Sequence, residues 1–69
     1  MDDLRHTARV LLQRNNLGLF DLWIFYWNHG GHCHPFDFDA FIHEILPPSW
    51  FDMAALELAL RELSLEAVT

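Results

Sequence analysis

The chain has 69 residues, 52% apolar and 14% aromatic, with one cysteine, no lysine and a formal charge of −6. That length holds one domain, near the lower size at which a core stabilises itself, and a single cysteine excludes an internal disulfide framework and suits a reducing, cytoplasmic setting. The charge is uneven, because residues 1–36 set Asp2, Asp3 and Asp21 against Arg5, Arg9 and Arg14 whereas residues 37–69 carry seven acids against Arg61 alone; such a half-chain repels phosphate and disfavours direct binding of nucleic acid.

The opening MDDLRHTARV lacks the basic-then-apolar order of a secretory signal. A first helix is expected over residues 2–15. Asp2 and Asp3 suit its N-cap and first turn, where carboxylates meet unpaired N–H groups and the positive end of the helix dipole. Leu4, Ala8, Leu11 and Leu12 recur at i, i+4, i+7 and i+8 and make one apolar stripe. Arg5, Arg9 and Gln13 fall on another face, four residues apart, and read as solvated. Asn15, Asn16 and Gly18 then supply a stop and a turn. Gly18 also argues against one long helix from Leu4 to Trp27, by about 1 kcal/mol relative to alanine.

The second helix, residues 17–29, reads LGLFDLWIFYWNH, and the other segments must be arranged around it. Wound at about 100° per residue, Leu17, Phe20, Trp23, Ile24 and Trp27 fall on one side, while Leu19, Leu22, Phe25 and Tyr26 cover most of the other. Only Asp21 and Asn28 mark a polar edge. A helix this apolar has to be wrapped by the rest of the chain or by a partner. Its apolar run of about 12 to 13 residues falls short of the roughly 20 that cross a bilayer, so no membrane span is expected. Gly30 and Gly31 end it by offering positive φ at the C′ position.

After a short loop, Pro35 can take the first position of a third helix, with His34 before it and Asp37 and Asp39 near its positive end. Phe38, Phe41, Ile42 and Ile45 make its inward stripe, and Pro47 and Pro48 close it at Leu46. Ser49 to Asp52 has capping-box order, with Asp in place of the usual Glu or Gln, and opens a fourth helix that runs to Ala67. That helix carries two apolar stripes: Met53, Leu56, Leu60, Leu63 and Ala67, and almost opposite them Phe51, Leu58 and Leu65, flanked by Ala54. A core within the chain uses only one of these easily, so the other is left over. The expected fold is all-α, a single domain over residues 1–69 formed by a compact bundle of four short helices (about 2–15, 17–29, 35–46 and 50–67) in orthogonal or partly orthogonal packing.

Chemistry concentrates in HGGHCHPFDFD, residues 29–39. His29, His32, Cys33 and His34 lie close together, and imidazole nitrogen with thiolate sulfur is the donor set that Zn²⁺ prefers. Consecutive side chains alternate in an extended segment, so His29, His32 and His34, or His32 and His34 with Asp37 or Asp39, suit an ion better than all four. Without an ion, His29 can meet the carbonyl end of its helix, His34 can precede Pro35, and Cys33 can pack as a small hydrophobe. Cys33 serves as a nucleophile only if His32 or His34 folds back on it. Asp37, Asp39 and Glu44 suit a solvated, dipole-favoured helix without an acid–base role. No enzyme is expected, and no cofactor apart from Zn²⁺ in the metal alternative.

The leftover stripe of the fourth helix points more directly to function. An exposed strip of Phe and Leu marks a protein contact more often than a ligand site. Phe51, Leu58 and Leu65 compose it, with Trp50 at its edge, Tyr26 as a neighbour and Glu57, Glu62 and Glu66 as an acidic rim able to steer a basic partner.

The order Leu22-Trp23-x-x-Tyr26-x-x-x-Gly30-Gly31, followed by Pro35, Asp37, Phe41 and the Leu- and Ala-rich helix from Trp50, resembles small uncharacterised all-helical proteins of actinobacteria over residues 19–67. The resemblance implies a bacterial regulatory or adaptor-like protein and brings no activity with it. The expectation is therefore a cytoplasmic, non-enzymatic module that binds another protein, or itself as a homodimer, through Trp50, Phe51, Leu58 and Leu65. Two alternatives stand beside it: a metal-responsive domain built on His29, His32, Cys33 and His34, and an acidic protein that occupies the basic surface of a transcription regulator.

Overall fold

Four helices, α1 (Leu4–Arg14), α2 (Leu19–Asn28), α3 (Pro35–Ile42) and α4 (Trp50–Val68), make up the structure, a computed structural model that describes residues 3–14, 17–47 and 49–68, with side chains as far as Ser64. No strand occurs among the described residues. Asp2, Asn15, Asn16 and Pro48, read above as cap, turn and breaker, lie outside them, as do the side chains of Leu65, Glu66 and Ala67.

Short-range hydrogen bonds set most helix ends within two residues of where the sequence predicts, α2 running from Leu19 to Asn28 rather than from 17 to 29. Asp3 caps α1, its Oδ1 accepting the Arg5 backbone N–H at 2.8 Å. Gly18 is the N-cap of α2, and Asp21 Oδ2 accepts its N–H at 3.1 Å, so the chain is divided at this glycine. Gly30, at φ 95°, closes α2: its N–H donates to the Trp27 carbonyl at 3.0 Å, and that of Gly31 to the Tyr26 carbonyl at 3.1 Å, the bond pair of a Schellman turn. Gly31 matters for a different reason than the positive φ expected of it. A Cβ there would stand 2.2 Å from the Tyr26 ring, so the backbone lies flat on that ring only because no side chain intervenes.

Pro35 takes the first position of α3 after His34, as expected. The end of α3 is four residues earlier than Leu46. Glu44 adopts φ 65°, its N–H donates to the Phe41 carbonyl at 3.1 Å and that of Ile45 to the Ala40 carbonyl at 2.9 Å, a Schellman closure around a residue other than glycine. Ile45 therefore leaves the helix and is 75% exposed rather than part of the inward stripe. Two arginines of α1 meet this end. Arg9 Nη1 donates to the Ile42 carbonyl at the open end of α3 and pairs with Glu44 at 3.0 Å, while Arg5 Nη2 approaches Glu44 at 3.7 Å. Arg5 and Arg9 are thus not a solvated face. Their side chains are only 12% and 27% exposed, and they latch α1 onto the end of α3.

α4 begins at the capping box. Asp52 N–H donates to Ser49 Oγ at 3.1 Å, and Ser49 Oγ–H donates to Asp52 Oδ2 at 2.7 Å. Its nineteen residues span about 28 Å, most of the 33 Å length of the molecule. α2 and α1 pack against it, and α3 packs against α1 and α2, so the helices follow one another around the core in the order α1, α3, α2, α4. Leu22, Tyr26, Phe38, Phe41, Ile42 and Leu56 are the largest fully buried side chains, each contributing roughly 1.5–3 kcal/mol through burial. Ala8, Ala55 and Ala59 are buried in the same core. Tyr26 stacks on Phe38 with centroids 4.5 Å apart.

The apolar wrapping expected for α2 is half supplied. Leu22 and Tyr26 are buried and Leu19 and Phe25 pack against the core, but Phe20, Ile24 and Trp27 remain 62%, 48% and 43% exposed. None of the helices is long and apolar enough to cross a membrane among the described residues.

Candidate interaction surface

Two aromatic residues of α2 hold the loop that follows it. Trp23 Nε1–H donates to the Cys33 carbonyl at 2.8 Å, and the Tyr26 hydroxyl accepts the Cys33 N–H at 2.9 Å. The same hydroxyl donates to Asp52 Oδ1 at 2.6 Å, and that oxygen also accepts the His32 N–H at 3.1 Å. One carboxylate at the start of α4 thereby ties together α2, the loop and the α4 cap. Burial alone would raise the Asp52 carboxyl, but donors from Tyr26, Ser49 and His32 outweigh it and hold the group below the ordinary carboxylate range. Burial and the hydrogen bond to Asp52 push the Tyr26 phenol far above its usual value.

This anchoring disperses the four residues read as metal ligands. His29 Nε2 meets Glu62 Oε2 at 2.6 Å. The His32 ring lies edge-on to Phe51, with centroids 6.2 Å apart. His34 stacks on Trp27 at 6.0 Å, and Cys33 is half-buried between Trp23 and Tyr26. Among the described residues, no three His, Cys, Asp or Glu side chains converge on a point that would hold a metal ion. Burial pushes the Cys33 thiol up, so it stays protonated at neutral pH and is a weak nucleophile. An open cleft of about 460 Å³ lies elsewhere, lined by His6, Arg9, Val10, Leu12, Gln13 and His43, and its Arg9 is already engaged with Ile42 and Glu44.

The second stripe of α4 does face outward. Trp50 is 73% exposed, Phe51 55% and Leu58 42%, and Ala54 is exposed between them. Leu65, the fourth residue assigned to this strip, has a side chain outside the described set. The inward stripe is Leu56 and Leu60 with Ala55 and Ala59, and Met53 and Leu63 pack at its edge. Trp50 and Phe51 stack with centroids 3.9 Å apart and rings 25° from parallel. Tyr26, expected beside the strip, is instead fully buried beneath the α4 cap.

No family model matches this chain, and no curated protein or solved structure does either. The loop histidines border the α4 strip at two places, His32 against Phe51 and His29 against Glu62, so the features that the sequence suggested as rival sites lie side by side. Glu57 flanks the strip and pairs with Arg61 at 2.7 Å. Sequence reasoning missed the outward row Phe20, Ile24 and Trp27 on α2. Its spacing of i, i+4, i+7 was visible, but the equally apolar opposite side concealed which of the two is buried.

Proposed function

We propose that this chain is a non-enzymatic interaction module that docks the outward face of α4 on another polypeptide, in the cytoplasm, where its half-buried cysteine stays reduced. The exposed strip Trp50, Phe51 and Leu58 carries the reading. These side chains sit on a helix whose start is fixed by the Ser49 cap and the Tyr26–Asp52 bond, so they are presented without much ordering cost on binding. Ordered aromatic and aliphatic anchors are what the centres of protein interfaces use. The unactivated Cys33 and the dispersed histidines support a binding role over a chemical one.

A photo-crosslinking amino acid placed at position 58, or at the exposed position 13 on α1, tests this in living source cells. Adducts to a second polypeptide or to a second copy of the chain, formed from position 58 and not from position 13, are expected; absent or equal adducts overturn the reading. Leu58→Glu should also leave the melting temperature of the dilute protein within about 3 °C. A collapse of stability would place Leu58 in the core and overturn the reading from the other side.

A further inference from the structure

We infer that the occupant of the α4 strip is a basic protein segment that lays arginine side chains on the Trp50–Phe51 stack, rather than a second copy of this chain; the inference rests on the docking role proposed above for the same face. Three observations lead to it. The first is electrostatic. Beside the strip stand Glu57 and Glu62, each half-exposed and paired with Arg61 and His29 respectively, and the whole of residues 37–69 carries seven acids and that one arginine. Two such faces brought together would set carboxylate against carboxylate, whereas a cationic partner is attracted at long range and held at short range.

The second is area. The exposed parts of Trp50, Phe51 and Leu58 amount to an estimated area on the order of 350 Å², less than half of the roughly 800 Å² that each partner of a stable complex contributes. Among the described residues, apolar burial of that size needs added electrostatic attraction to hold any partner, and a second copy of the same acidic half-chain does not supply it. Such burial does suit a transient complex in which charge supplies the encounter and a few aromatic anchors fix the register.

The third is the shape of the anchors. Trp50, at the first position of α4 and 73% exposed, presents an indole to solvent and is braced by the Phe51 ring 3.9 Å away. Indole is the strongest aromatic acceptor of cations, and the planar guanidinium stacks on it while its remaining N–H groups compete with Arg61 for the half-exposed carboxylate of Glu57. Lysine shares the charge but not the plane. A partner segment with arginines flanking a leucine is thus matched to indole, carboxylate and Leu58 together.

The test uses the full chain and three labelled helical peptides identical in their leucine face and differing only in flanking Arg, Lys or Glu. Fluorescence anisotropy should show the Arg peptide binding about tenfold more tightly than the Glu peptide and several-fold more tightly than the Lys peptide. Raising sodium chloride from about 50 mM to about 500 mM should weaken the Arg complex at least about fivefold. Trp50→Leu, which keeps an apolar side chain and removes the indole, should lower affinity for the Arg peptide about tenfold, while Phe36→Ala, on the 92% exposed ring of α3, leaves it unchanged. Equal binding of Arg and Glu peptides, or binding insensitive to Trp50→Leu, overturns the inference. So does a salt-resistant dimer of the chain alone that Leu58→Glu dissociates. Such a dimer would leave the docking role of α4 intact, whereas absence of crosslinks from position 58 would remove that role itself.

Discussion

Tyr26→Phe deletes one oxygen at the point where α2, the loop and α4 meet. That hydroxyl donates to Asp52 Oδ1 at 2.6 Å and accepts the Cys33 N–H at 2.9 Å, on a side chain with no exposed surface. A hydrogen bond to a charged group contributes about 1.5–3 kcal/mol, and an N–H left without its acceptor adds about 1 kcal/mol where water reaches it poorly. The ring and its stacking on Phe38 are retained, and Asp52 keeps its donors from Ser49 and His32. The expected loss is about 3 kcal/mol, which for a domain of this size lowers the melting temperature by roughly 12–24 °C. Urea unfolding followed by far-ultraviolet circular dichroism measures it, with an unchanged slope as the sign that the unfolded state is unaffected. The acid limb supplies a second check. Because the folded Asp52 carboxyl lies below its ordinary value, its stabilisation is present above the unfolded value of about 3.9 and is lost as pH falls through the lower folded value. The gap between wild type and Tyr26→Phe should therefore hold from neutral pH to about 4 and narrow below it. A loss under about 0.5 kcal/mol at neutral pH, or a gap that persists unchanged into strong acid, would refute the assignment of this network as the tie between α2 and α4.

Tyr26 is the one tyrosine in the chain, and its phenol is raised by burial, so phenolate absorbance should appear only together with loss of helical dichroism as pH rises. Its appearance near pH 10 with helices intact would contradict the burial. Gly31→Ala should cost about 3 kcal/mol because its Cβ would overlap the Tyr26 ring, whereas Gly30→Ala, with nothing within 4 Å of the added carbon, should cost only about 1 kcal/mol for the positive φ; thermal unfolding of the two proteins ranks them. Glu44→Gly should change stability by less than about 0.5 kcal/mol, since relief at φ 65° offsets the lost pairing with Arg9, while Glu44→Ala keeps the backbone strain, loses the pairing and should cost about 1 kcal/mol. Chemical denaturation distinguishes the two outcomes.

The α1 to α2 break, the Gly30 closure, the Pro35 start and the Ser49 cap were legible in the sequence because each depends on groups within about five residues of one another. The α4 strip was legible as well, since two opposite apolar rows on one helix leave one of them unburied. The solvated reading of Arg5 and Arg9 failed on a long-range contact. Spacing placed them on one face of α1, but nothing local to α1 announces that the open carbonyl of Ile42 and the carboxylate of Glu44 will arrive beside them.

The sequence by itself thus determined four helices, most of their ends and the surplus of apolar surface, because backbone hydrogen bonding and side-chain periodicity act over one or two turns. Which side of α2 is buried was settled by tertiary structure alone. Both sides are apolar and gain similarly from burial, but only the side bearing Tyr26 carries a hydroxyl able to meet Asp52 in α4 while its ring fills the space above Phe38. The same choice sends Phe20, Ile24 and Trp27 outward and draws the loop across α2, where Trp23 and Tyr26 hold its backbone and its histidines part toward Trp27, Phe51 and Glu62. Spacing along the chain placed those histidines together; the partners that separate them come from positions up to 33 residues away.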